Sequence, residues 1–174
     1  MNRVQVGRVR DVLSYDAETG VFRWKVAVAR RIKGGDIAGS ECHQGYWVIR
    51  LDKRIYKAHR LAWLYVHGEW PAGDIDHING VRLDNRIANL RDVSRSVNIQ
   101  NLRRARSDNK CGLLGVSPHG RRWRAVITLE GQRQHIGHFD TPEIAHQAYL
   151  EAKLEIHEGC TLIPQRLAIG DSQC

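Results

Sequence analysis

Asp74-Ile-Asp-His-Ile-Asn-Gly80, then Val81-Arg-Leu-Asp-Asn-Arg-Ile-Ala-Asn89, then Leu90-Arg-Asp-Val93 and the run from Ser94 to Arg106 form the stretch that decides the fold. Two short runs flank a polar loop rich in Asn, Asp and Gly, and Ser94 is a suitable N-cap for the segment after it. The pattern predicts a strand, a loop, a second strand and a helix. On that helix Asn98 lies in the first turns, on the same face as Asn101 and Leu102, so it can point back at the strand bearing Asp76 and His77. One carboxylate, one imidazole and one amide then converge.

Those three groups suit one kind of chemistry. Hydrolysing a phosphodiester needs a Lewis acid at the leaving oxygen, a base for the attacking water, and neutralisation of the charge that grows in the transition state. Asp76 and Asn98 can hold a hard divalent cation through oxygen, which suits Mg2+ or Mn2+. Neighbouring residues on a strand face opposite ways, so His77 stays off the metal and is free to take a proton near neutral pH. Asn89, at the end of the loop, is expected to hold it shut by hydrogen bonds to backbone. An Asp-His pair alone is usually surface decoration; the surrounding pattern is what raises it to a candidate site.

Working outward, the 174 residues are 42% hydrophobic, enough for one domain or two small ones. Lys plus Arg number 27 against 19 Asp plus Glu, a formal charge of +8, which points first to nucleic acid as partner. No apolar run approaches the roughly 20 residues of a membrane span, and MNRVQVGRVRDVL lacks the apolar stretch of a signal peptide, so a soluble, cytoplasmic protein with no membrane partner is expected. Cys42, Cys111, Cys160 and Cys174 form no CxxC pair and are read as free thiols.

Upstream, Arg8 to Leu13 can open with a short helix, and Asp16 to Gly20 is a turn leading into Val21-Phe-Arg-Trp24. Gly45 to Leu51 reads as a strand, with a turn at Asp52-Lys53 before Ile55-Tyr56. From Ala58 to His67 apolar residues recur at helical spacing until Gly68 and Pro71 stop them. His59 and Arg60 admit either a phosphate contact or a capping or packing role. Arg30, Arg31 and Lys33 form a basic cluster equally open to phosphate binding and to plain solvation. Downstream, Leu102 to Lys110 is strongly basic; Arg103, Arg104, Arg106 and Lys110 are expected along the DNA backbone, a solvated linker being the alternative.

Beyond that segment, Leu113 to Ser117, Arg122 to Leu129 and Gln132 to Phe139 read as three strands, followed by a helix with Thr141 as N-cap and Pro142 at its first position. Alternation places Trp123, Ala125, Ile127 and Leu129 toward the helix. Arg122, Arg124, Val126 and Thr128 fall on the open face, joined by Arg133 and His135 of the third strand. A twisted sheet carrying arginines fits a major groove.

Asp76-His77-Ile78-Asn79-Gly80, Asp84-Asn85, Asn89-Leu90-Arg91 and Ser96-Val97-Asn98, with His59-Arg60-Leu61-Ala62 and Gly68-Glu69-Trp70-Pro71, resemble the HNH endonucleases in their phage homing branch. The resemblance implies His77 as general base, Asp76 and Asn98 as ligands of one metal, and Asn89 as the loop-fixing asparagine. Gly115-Val116, Trp123-Arg124-Ala125, Ile136 to Thr141 and Glu143 to Tyr149 resemble the ethylene-response-factor (APETALA-type) DNA-binding domain. That second likeness implies a sheet-in-groove reader, although Val126, Thr128 and His135 depart from the plant pattern, so its target sequence does not transfer.

Together these readings predict an α+β chain. A β-rich region (1–57) precedes a ββα-metal nuclease unit (58–106); a linker and three-stranded sheet packed on one helix come next (107–160), then a tail (161–174). The predicted function is site-specific cleavage of double-stranded DNA by a phage-encoded enzyme acting in the host cytoplasm as a monomer or homo-oligomer. A DNA-binding regulator on an inert scaffold, and a basic protein associated with RNA, are the competing readings.

Overall fold

Short elements joined by tight turns follow from the frequent Gly, Asn and Asp of this chain. The computed structural model describes residues 3–102, 105, 109, 111–157 and 160–161. In chain order the elements are α1 (Val6–Val12), β1 (Leu13–Tyr15), β2 (Phe22–Trp24), β3 (Ser40–Glu41), β4 (Trp47–Leu51), β5 (Arg54–Lys57), α2 (Ala58–His67), β6 (Asp74–His77), β7 (Leu90–Val93), α3 (Arg95–Gln100), β8 (Val116–His119), β9 (Arg122–Leu129), β10 (Gln132–Phe139) and α4 (Pro142–Ile156). A single 3-10 turn, Ile87–Asn89, leads into β7. Among the described residues no helix is long and apolar enough to cross a membrane.

The chain divides into two compact units, the first running to Leu102 and the second taking the remainder. In the first, α2 presents Leu61, Ala62 and Leu64 inward and packs on α1, β4 and β5. One apolar cluster runs from Val4 through Phe22, Ile49 and Leu61 to Leu90. The boundary expected between residues 57 and 58 therefore separates no two cores. The physical reason is the polarity of the segment from Asp74 onward, which offers Ile75 and Leu90 but too little else to cover the apolar face of α2; the N-terminal elements cover it.

β6 and β7 pair antiparallel, Asp74 opposite Val93, Asp76 opposite Arg91 and His77 opposite Leu90. Ser94 caps α3, its hydroxyl accepting from the Val97 N–H at 3.3 Å. The helix expected to continue toward Arg106 stops at Gln100, because the Asn101 side chain turns into β6. Arg103, Arg104, Arg106 and Lys110 lie outside the described residues.

In the second unit the sheet order is β8-β9-β10, antiparallel throughout, and α4 packs across it, its Ala145 and Tyr149 joining Val116, Ala125 and Ile127 of the sheet in one buried cluster. The first strand, expected from Leu113, begins at Val116. Gly115 sits at φ +77° directly beneath the Tyr149 ring, a position open only to a residue without a β-carbon. In β10 the register slips between His135 and Gly137. That bulge shifts the alternation by one residue, so His138 joins the open face opposite Arg124, while Phe139, opposite Trp123, turns to the core.

Candidate active site

Asp76 and His77, adjacent on β6, are 6% and 5% exposed and face different neighbours. The Asp76 carboxylate receives the Arg91 guanidinium, Nε at 2.9 Å and Nη2 at 2.8 Å on Oδ2, from directly across the ladder. It also receives the Asn101 amide, whose Nδ2 donates to Oδ1 at 3.1 Å and Oδ2 at 3.0 Å and to the His77 carbonyl at 3.1 Å. Two charge-assisted partners thus fix the carboxylate in place.

Asn98 does not meet Asp76 directly. Its Nδ2 donates to Asp74 Oδ2 at 3.2 Å, while Asn101 takes Asp76. The cause is a match of spacings: Asp74 and Asp76 lie two apart on one face of β6, Asn98 in α3 and Asn101 at its C-cap lie three apart, and each amide meets one carboxylate. Among the described residues the Asn98 amide oxygen accepts no hydrogen bond. Asn98 therefore has an oxygen to offer a cation, whereas Asn101 shows Asp76 its NH2 group. A carboxylate and an amide oxygen are the donors a hard divalent ion takes, so the residues fit such a group.

His77 faces the loop and α2. Its Nε2 lies at 3.4 Å from Asn85 Oδ1, and Asn85 is oriented by its own Nδ2 donating to Leu83 O at 3.2 Å. An amide oxygen only accepts, so Nε2 carries the proton and Nδ1 keeps its lone pair. Burial pushes the His77 pKa below its usual value, against smaller opposing effects from Asn85 and Asp76. The ring is therefore neutral, and able to accept a proton, at pH 7.

Around it, His59 packs edge-on to His77 with ring centres 4.9 Å apart, and Tyr46 lies 5.3 Å from His59 and 6.2 Å from His77. Of the roles open to His59 in the sequence, this is the packing one.

The loop between β6 and β7 is closed by side chains. Asn89 Oδ1 accepts from Asn79 N at 3.0 Å and its Nδ2 donates to Asp84 O at 2.8 Å. Asp84 accepts from Asn79 Nδ2 at 2.7 Å and pairs with Arg86, whose hydrogen bond is the main reason its pKa falls to about 2. The N-terminal region supports the same loop from outside. Tyr15 donates its hydroxyl to Asn85 O at 2.7 Å, and Gly20 sits so close to the backbone of Asn85 and Arg86 that a β-carbon there would collide with it. Sequence reasoning missed Asn101, Arg91, Asn85 and the Tyr15 contact as site features; the i, i+2 carboxylates against i, i+3 amides were the available signal for Asn101.

In the second unit, Arg122, Arg124, Arg133 and His135 share the open face of the sheet, with His119 and His138 between them. The Arg122 Nε pairs with Asp140 at 3.2 Å, and the His138 ring lies 4.6 Å from His119 and 4.5 Å from His135. Arg124, Val126, Arg133 and His135 line a shallow hollow on this face.

Residues 56–102, which hold β6, β7, α3 and all the groups around Asp76, match the HNH endonuclease family, so this part of the chain is an HNH endonuclease domain. Protein 3.8 of Escherichia phage T7 is 33% identical over 111 residues, covering 60% of this chain and 90% of that protein. The chain belongs to the same family as this phage protein. No solved structure matches it.

Proposed function

We propose that this protein is a phage homing-type, site-specific endonuclease that hydrolyses phosphodiester bonds of double-stranded DNA at a ββα-metal site. The observation that carries the reading is the pairing of a clamped carboxylate, Asp76, with a neutral, tautomer-fixed imidazole, His77, on adjacent residues of one buried strand. His77 Nδ1 takes the proton of the attacking water. Asp76 and the Asn98 amide oxygen would hold a divalent cation, Mg2+ or Mn2+, which would supply Lewis-acid polarisation of the phosphate and charge stabilisation at the leaving oxygen. Asn101 and Arg91 keep the Asp76 carboxylate aimed, and Asn89 keeps the loop closed so that Asn85 stays on His77.

The second unit serves as the DNA reader. Arg122, Arg124, Arg133 and His135 on one sheet face supply the cations for groove and phosphate contacts, and His138 joins them through the bulge. The basic run Arg103, Arg104, Arg106 and Lys110 supplies further cations for DNA backbone phosphates.

The test is to incubate supercoiled DNA carrying candidate phage sites with the wild type, His77→Ala and Asp76→Ala, with and without Mg2+ or Mn2+, and to follow nicked and linear products. Metal-dependent cutting is expected, reduced about 10²–10⁴-fold by His77→Ala, the range a positioned general base supplies. Binding to a verified site without cutting would replace the endonuclease by a DNA-binding regulator on an inert HNH scaffold.

A further inference from the structure

Beside His77 lies a cluster that the proposed chemistry does not use. Tyr46, in the turn before β4, has the Lys57 ammonium 4.1 Å and the Arg82 guanidinium carbon 5.0 Å from its ring centre. Lys57 ends β5 and Arg82 belongs to the β6–β7 loop, so three separate segments bring these groups together. Arg82 is further held by its Nη1 donating to Gln44 O at 2.8 Å.

Among the described residues neither cation meets a carboxylate. Arg8, Arg86, Arg91, Arg95 and Arg122 each do. Two positive charges are therefore gathered on one aromatic ring, which holds cations by its quadrupole without neutralising them. The wall they share is formed by the buried His59 and His77, whose ring centres lie 5.3 Å and 6.2 Å from that of Tyr46, so the two cations stand beside the candidate site.

We propose that Lys57, Tyr46 and Arg82 form a backbone-phosphate subsite that holds the DNA strand against His77. An ammonium, a guanidinium fork and a phenol hydroxyl are the donors that phosphate oxygens recognise without regard to sequence. The subsite rests on the endonuclease reading for the identity of its polyanion. These are positioning residues; the reacting atoms meet His77.

The experiment uses the full chain in a His77→Ala background, so that nothing is cut, and a labelled DNA duplex. Affinity is measured as salt is varied, with Lys57→Gln, Arg82→Gln, the double variant, and the charge-keeping Lys57→Arg and Arg82→Lys. Each neutralised phosphate contact contributes about 0.9 to the slope of log affinity against log salt. The slope is expected to fall by about 0.9 in each single glutamine variant and about 1.8 in the double, and to return in the charge-keeping variants. Contacts of the second unit are common to all variants and cancel in the difference. Circular dichroism melting identifies any variant that unfolds, and Arg82, exposed, is the substitution least able to do so.

Unchanged slopes in folded variants would overturn the subsite, even if the wild type cuts DNA. Reduced slopes alongside a wild type that cuts nothing would uphold the subsite as a DNA contact and sink the endonuclease reading instead.

Discussion

Acid should weaken the first unit, and His59 sets much of the amount. Its side chain is 4% exposed, packed against Tyr46 and His77, and its Nδ1 is buried without a hydrogen-bond partner among the described residues. Burial, helped by the nearby His77, Lys57 and Arg60, pushes its pKa down from 6.5 to about 3. The unfolded chain accepts a proton on this ring below pH 6.5 and the folded chain does not until about pH 3. The unfolded state therefore binds more protons throughout that window, and stability present above pH 6.5 is lost progressively as pH falls toward 3. Each pH unit in the window costs about 1.4 kcal/mol, so moving from pH 7.5 to pH 5 costs about 2 kcal/mol through His59 alone. His59→Phe and His59→Gln remove the titration whatever they do to packing. Urea unfolding at both pH values, followed by tryptophan emission, reads the effect, since four of the five tryptophans (Trp24, Trp47, Trp63 and Trp70) lie in this unit. Relative to either variant, the wild type should lose about 2 kcal/mol more between pH 7.5 and pH 5, the titration of His77 being common to both. Parallel pH curves would show instead that the folded protein protonates His59 at ordinary pH.

Two further outcomes separate roles that lie close together. Asn98→Ala should raise the Mg2+ concentration needed for half-maximal cleavage, whereas Asn101→Ala should lower stability by about 1–3 kcal/mol, since it leaves the buried Asp76 carboxylate short of a donor; metal titration of cleavage and urea unfolding distinguish the two. Gly115→Ala should destabilise the second unit by about 3 kcal/mol or more, since the new methyl group enters the Tyr149 ring and the backbone there has positive φ; loss of near-ultraviolet signal from Trp123, with the first unit intact, is the readout.

The strand–loop–strand–helix around Asp76 was legible because its signals are local: an Asn-Gly turn, a serine cap and short alternating runs. α2 and α4 were legible through helical periodicity with a stop at Gly68 and a cap at Thr141. What local signals do not carry is register. Arg91 reaches Asp76 because β7 pairs with β6 at one offset, and Asn101 because α3 crosses at one angle. Simple alternation along β10 left His138 out of the charged face, since a bulge is decided by the partner strand and by what Phe139 can bury. The shared core of the first unit was hidden for the same reason, as the residues closing it are separated by more than fifty positions in the chain.

That shared core changes what the matched HNH segment is able to do alone. His77 is oriented by Asn85, and Asn85 sits in a loop whose backbone is held by Tyr15 and abutted by Gly20, both well outside residues 56–102. The α2 face that backs His59 is covered by α1 and β4. A hydrogen-bonded loop of this kind, tied by the Asp84–Arg86 pair with Arg86 exposed, draws little stability from its own few apolar residues. Its geometry is inherited from the N-terminal hairpin, so the hairpin belongs to the site by mechanics, acting through Asn85 rather than on Asp76 or His77 directly.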